Sequence, residues 1–176
     1  MELDFEIDKI TESIECAKTG ESFETLVLPI EKADLKEATK KNGWEFDWKL
    51  EFNAPNRKVY KLVTEKEPNV IQGLVCFEKR EKEKLVYMWL IENSPFNKGK
   101  TKRYKGTCGN MVAYGCKLSK ESGFDGYLSF DAKTVLIEHY IETLRAKHYF
   151  GQKMGIEPED AEWLIGCYFK SKEGVL

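Results

Sequence analysis

The 176-residue sequence is short of histidine, of net charge and of long apolar runs, and each shortage removes a class of function. With only His139 and His148, and no serine inside a G-x-S-x-G elbow, the chain lacks the material for a hydrolase triad. Its formal net charge is −2, from 28 Lys and Arg against 30 Asp and Glu. That balance argues against a chain whose main partner is bulk nucleic acid or an anionic membrane. No apolar run is long enough to span a bilayer. The opening Met1-Glu2-Leu3-Asp4-Phe5-Glu6 is acidic and has no apolar run, so it does not read as a secretory signal. The five cysteines (Cys16, Cys76, Cys108, Cys116, Cys167) are odd in number, widely spread and form no C-x-x-C pair. They read as reduced thiols of a cytoplasmic protein, with no disulfide frame and no metal site.

What is present points to one α/β or α+β domain over 1–176. Hydrophobic residues make up 41% and charged residues 33%, a soluble globular composition with no linker or repeat. Residues 1–50 read as a hairpin, with Ile10, Glu12, Ile14 and Cys16 alternating and Phe23 to Leu28 returning, then a short polar helix from Lys32 to Lys41. A helix over 8–18 is the alternative. Trp44, Phe46 and Trp48 have the spacing of one face of an extended segment. Val59 to Val63, Val70 to Phe77 and Leu85 to Ile91 read as strands, the last two buried on both faces. Beyond the loop Ser94 to Lys100, Gly106 to Ser122 carries helical spacing and Gly123 is its natural stop. A strand at Tyr127 to Phe130 follows, then a helix striped by Val135, Leu136, His139, Tyr140, Thr143 and Leu144. An extended stretch His148 to Ile156 precedes a C-terminal helix over 157–170, opened by Pro158.

The densest positive charge is Lys98, Lys100, Lys102, Arg103 and Lys105, directly before Gly106-Thr107-Cys108-Gly109-Asn110. A basic, glycine-bearing loop that opens a helix suits a phosphate, because the first helical turn offers unpaired N–H groups and the positive end of the dipole. A solvated loop leading into an ordinary helix is the plain alternative. Gly99-Lys100-Thr101 mimics the end of a P-loop, but its required first glycine is Ser94. Gly106 to Gly109 fits the G-x-x-G of a KH loop, yet that loop joins two helices, and the G-x-G-x-x-G dinucleotide spacing is missing.

Arg103-Tyr104-Lys105-Gly106-Thr107-Cys108 resembles the Q/R-x-x-G-x-G/A acyl-CoA loop of the GCN5-related N-acetyltransferases, with Cys108 in the last position. Leu85 to Glu92 is similar to that family's apolar strand, Tyr127 to Phe130 to its neighbour, and Ile137 to Leu144 to its "FYEKLGF" helix, with Arg145 where glycine usually ends it. The resemblance spans residues 57–156; residues 1–50 stand outside it. It implies an acyl-CoA N-acyltransferase fold: a mixed, mostly antiparallel central sheet with a splayed parallel strand pair and flanking helices. It also implies acetyl-CoA or another acyl-CoA as co-substrate, held by the main chain of Leu90, Ile91 and Glu92 and by the loop Arg103, Tyr104, Lys105, Gly106, Thr107, Cys108, Gly109 and Asn110. The acyl group would pass to a primary amine by direct attack in a ternary complex. Tyr140 matches the tyrosine that protonates the departing thiolate; a core aromatic is its other reading. Amine attack also wants a base near the splay, and Glu92 is the candidate, against a plain strand-end glutamate. His139, His148, Cys108 and Cys116 read as packing residues, and Trp44, Phe46, Trp48 and Phe52 as core or as an acceptor pocket. A small amine, an aminoglycoside, a protein amino group and aminoacyl-tRNA all remain open as acceptors, and edge strands permit a homodimer. The competing class is a non-catalytic acyl-CoA-binding or interaction module on the same fold; an RNA-associated role ranks behind both.

Overall fold

The computed structural model describes residues 1–169. An opening stretch leads into β1 (Ile14–Cys16), β2 (Ser22–Phe23) and β3 (Thr25–Pro29). β1 and β2 form the expected hairpin, with Ile14 opposite Phe23. The returning strand, however, is divided at Glu24, so that β3 joins a different sheet. The polar helix expected over Lys32 to Lys41 is two 3-10 turns, Lys32–Lys36 and Lys40–Asn42, the second ended by Gly43 at φ 96°.

Trp44, Phe46 and Trp48 share the inward face of an irregular segment, with Glu45 and Asp47 exposed between them. The segment pairs in no sheet, however, and Trp48 already belongs to helix α1 (Trp48–Asn53), which the Asp47 carboxylate caps by accepting from the Leu50 N–H at 3.1 Å. Trp44 and Trp48, four residues apart, are both buried.

Strands β4 (Lys58–Thr64), β5 (Gly73–Arg80) and β6 (Leu85–Asn93) then form an antiparallel meander. The register between β5 and β6 slips where Cys76 faces Leu90 and Phe77 faces Met88, so Trp89 is an extra residue and β6 carries a bulge. After a 3-10 turn at Pro95–Asn97 come β7 (Tyr104–Lys105) and α2 (Thr107–Glu121). Next are β8 (Leu128–Asp131) and α3 (Ile137–Leu144). The stretch expected as one extended segment is a hairpin of β9 (Lys147–Phe150) and β10 (Lys153–Ile156), turned at Gly151. Helix α4 (Pro158–Phe169) closes the described chain; residue 170 of the expected helix lies outside the described residues.

The large sheet runs β3-β4-β5-β6-β8-β10-β9 and is antiparallel except at β6–β8. A smaller sheet, β2-β1-β7, sits beside the start of α2. Helix α2 crosses β5 and β6 closely because Gly115 has no side chain: a Cβ there would lie 2.6 Å from Phe77 Cε1. Helix α4 packs on α2. Among the described residues no helix is long and apolar enough to cross a membrane.

Candidate functional site

The parallel pair β6–β8 places everything that follows. Its register contains only Val86 with Leu128 and Tyr87 with Ser129. Beyond Tyr87, β6 runs on to Asn93 and β8, which pairs with β10 along its whole length, runs on to Asp131 without further pairing to β6, so the strands part and leave a groove along β6. Leu90, Ile91 and Glu92 lie on the β6 wall of that groove, and all three are buried.

The basic connector leads to the groove's mouth. Tyr104 and Lys105 are not free loop, as the sequence suggested, but pair as β7 with β1. Arg103 lies over the Phe96 ring at 5.0 Å. Gly106 takes φ 88°, a left-handed conformation that suits glycine, and caps α2. Within the first turn of α2, the Thr107 hydroxyl donates to Asn93 Oδ1 at 2.6 Å and the Cys108 thiol lies 3.3 Å from the same atom. The Asn110 amide donates to Thr25 Oγ1 at 2.8 Å, and its own oxygen is buried without a protein partner. Burial pushes the Cys108 thiol up to about 12, so it stays a thiol at neutral pH. Gly109 is small for a packing reason: a Cβ would overlap the Tyr168 hydroxyl.

Tyr140 faces the same groove from α3. Its ring is fully buried, packed edge-on against Phe130 at 5.5 Å. Burial, with Cys108 nearby adding to it, pushes the phenol well above its ordinary value, so the hydroxyl keeps its proton. Tyr140 and the start of α2, far apart in sequence, are therefore brought together.

Glu92 is placed differently from a free base. Its carboxylate accepts from the Glu45 N–H at 2.7 Å, the Phe46 N–H at 3.3 Å, the Trp48 indole at 2.8 Å and the Lys98 ammonium at 2.7 Å. The side chain is 2% exposed. Four donors fill its lone pairs, and the result is a staple that fixes the segment 45–48 to the sheet. The nearby aromatics follow: Trp44 and Trp48 are core, with Phe46 and Phe52 packed against it.

The opening segment also lies in the groove, and the sequence reading missed this. Leu3 bridges Ala132 in parallel fashion, just past the end of β8. Phe5 stacks on Tyr140 at 4.7 Å, and its carbonyl accepts from the Tyr140 hydroxyl at 2.5 Å. The Ile7 N–H donates to His139 Nε2 at 2.8 Å, which gives that histidine a partner. Asp8 accepts from the Gly106 N–H at 3.1 Å and pairs with Lys102 at 3.0 Å. Thr11 fills the space beside Gly106, where any Cβ would overlap its hydroxyl, and its N–H donates to the Tyr168 hydroxyl at 3.3 Å. The sequence signal was the alternation Leu3, Phe5, Ile7 against Glu2, Asp4, Glu6, Asp8: the apolar set is buried and the acidic set is not. The Gly106 N–H and Lys102 are donors of the kind a phosphate takes, and as folded the chain's own Asp8 carboxylate takes both, with Thr11 beside them. A cavity of about 860 Å³ lies instead between this segment and α4, lined by Thr11, Glu12, Glu15, Glu24, Trp163 and Cys167 among others.

The chain has the GCN5-related acetyltransferase fold. It superposes on a spermidine N-acetyltransferase chimera from Vibrio cholerae and hSSAT with a TM-score of 0.54 at 12% identity, covering 79% of this chain and 98% of that one. It is similar, too, to the ribosomal-protein-S18-alanine N-acetyltransferase of Escherichia coli, with a TM-score of 0.52 at 11% identity over 75% of this chain and 90% of that one. No family profile matches the sequence, and no curated protein does. The expected architecture, a mostly antiparallel sheet with one parallel pair and flanking helices, is the one observed.

Proposed function

We propose that this chain is an acyl-CoA-dependent N-acyltransferase that acetylates a primary amine, with the groove between β6 and β8 as its cofactor site. The observation that carries the reading is the splay itself. A parallel pair that registers at two positions and then parts, ahead of a basic connector and a glycine-capped helix, leaves strand edge and helix N-terminus facing one groove. An acyl-CoA supplies an activated thioester when bound there. The chain's own contribution is a strand edge able to pair with an extended amide-bearing ligand, N–H groups at the start of α2 for phosphate, and a proton held on Tyr140 for the leaving group. Glu92 shapes the wall of the groove rather than moving a proton.

A second reading, a non-catalytic acyl-CoA-binding or interaction module, is favoured by the occupied cradle at Gly106. Two experiments separate the readings. Calorimetric titration with acetyl-CoA should show binding that weakens in a K100E/K105E double variant, since both lysines sit on the connector and would repel phosphate once reversed. Tyr140→Phe should retain acetyl-CoA binding while lowering turnover about 100-fold or more against an amine screen. Absence of acetyl-CoA binding in wild type, in Tyr140→Phe and in an F5S/D8S variant that loosens the opening segment would sink the acyltransferase reading; binding without turnover on any amine would select the module.

A further inference from the structure

We infer that residues 3–13 form an intrasteric strap that competes with acyl-CoA for the groove and has to leave it before the cofactor binds. This inference rests on the acyl-CoA reading of the groove and adds its regulation.

The strap's contacts are those a cofactor would need. Along the splay, Phe5 lies against the Tyr140 ring and its carbonyl takes the Tyr140 hydroxyl, the same proton that the proposed reaction requires. At the helix, the Asp8 carboxylate takes the Gly106 N–H and the Lys102 ammonium, one backbone donor and one cation, a pair of donors that suits a phosphate equally well. Thr11 then fills the space that Gly106 leaves open. The charge pattern agrees: the strap carries Asp4, Glu6, Asp8 and Glu12 against Lys9 alone, so strap and cofactor are both net anions, and it is Asp8 that meets the basic connector at Lys102.

The strap is held by three apolar side chains, Leu3, Phe5 and Ile7, by the Leu3 backbone bonds to Asp131 and Lys133, and by the Tyr140, His139, Tyr168 and Gly106 hydrogen bonds. Two ion pairs open to solvent add to these, Asp4–Lys133 and Asp8–Lys102, the latter at 19% and 23% exposure. It is joined to the body by β1, which pairs with β7, so displacement of residues 3–13 would leave the small sheet β2-β1-β7 in place. In a two-state scheme the apparent affinity for cofactor is the intrinsic affinity scaled by the fraction of molecules with the strap out. Weakening the strap therefore tightens binding without touching a cofactor contact.

The test uses the full chain. Lys9 lies on the strap with an exposed side chain and is followed by Ile10, so trypsin cleavage after Lys9 reports strap release. Saturating acetyl-CoA should accelerate that cleavage several-fold, and an F5S/D8S double variant should bind acetyl-CoA about tenfold more tightly than wild type. Tight wild-type binding with unchanged cleavage after Lys9 and no gain in the double variant would overturn the strap while leaving the acyltransferase reading intact. Binding by the double variant alone would support the strap in its strongest form. Failure of both proteins to bind, with the variant shown to be folded by its melting transition, would overturn the acyl-CoA reading and the strap with it. Should the variant not fold, the wild-type cleavage arm decides alone.

Discussion

Replacing Glu92 by glutamine distinguishes a structural staple from a catalytic base. In the folded chain, one carboxylate oxygen takes Glu45 N–H and Lys98, and the other takes Phe46 N–H and the Trp48 indole. Glutamine keeps the shape but offers one acceptor and one NH₂, so in either orientation two of the four donors face another donor. Each buried donor left unmet costs about 1–3 kcal/mol. Lys98 also loses its buried counter-charge, although its 31% exposure lets water recover part of that loss. We expect a total of roughly 3–5 kcal/mol, in the range for breaking a buried pair. For a chain of this length that is a fall in melting temperature on the order of 10 °C. Urea unfolding followed by tryptophan fluorescence reads it directly, because Trp44 and Trp48 sit on the stapled segment. A Glu92→Gln variant within about 1 kcal/mol of wild type that nevertheless lost turnover would refute this reasoning and return Glu92 to the role of general base.

Three further outcomes follow from the packing elsewhere in the chain. Arg145 ends α3 at φ 58° with its guanidinium 3.8 Å over Trp163; Arg145→Gly trades about 1 kcal/mol of left-handed strain for a ring contact of similar size and should be near neutral, whereas Arg145→Ala keeps the strain and should be the less stable of the two by about 1 kcal/mol in urea melts. Gly115→Ala should cost about 1–3 kcal/mol despite alanine's better helix propensity, since the new methyl would meet Phe77 at 2.6 Å and Leu128 at 3.0 Å, read as a lower urea midpoint. Burial raises the Cys76 and Cys108 thiols from 9.0 to about 12; the folded state keeps protons that the unfolded chain gives up, so stability is full below pH 9 and drains between 9 and 12 by roughly 1 kcal/mol per pH unit per thiol, and Cys108→Ala should flatten that slope in alkaline melts.

The meander and α2 were legible because local pattern and tertiary role agree there. Val59 to Val63 and Leu85 to Ile91 are buried runs that only strands of that length satisfy, and Gly123, at φ 85°, stops the helix as its position suggested. Trp44, Phe46 and Trp48 do face inward together as their spacing suggests, but the start of α1 at Trp48 was hidden because its signal, Asp47 as a cap, is one residue wide. His148 to Ile156 was read as one segment because Gly151 is a single turn signal inside an otherwise extended pattern. For the candidate site, the loop and Tyr140 were visible as local motifs. The full satisfaction of Glu92 was not, since three of its four donors come from residues more than forty positions away. Nor was the strap, whose short alternation acquires meaning only when α3 and the start of α2 are brought to its two ends.

The groove is thus bounded by two carboxylates whose settings differ, and salt separates them. Asp8 pairs with Lys102 at 19% and 23% exposure, whereas Glu92 is 2% exposed and also takes two backbone N–H groups and an indole. Raising ionic strength from 0.1 M to 1 M shortens the screening length from about 10 Å to about 3 Å, which weakens an exposed pair far more than a buried one. The strap should therefore loosen in salt while the Glu92 staple does not. Without cofactor, cleavage after Lys9 should rise a few-fold between those salt concentrations relative to a free peptide of the same sequence, with the melting temperature little changed. Equal cleavage at both concentrations would mean that the apolar side chains and the uncharged hydrogen bonds hold the strap without help from charge. Asp8 would then be a passenger at Gly106, and the competition with phosphate would lose its electrostatic basis.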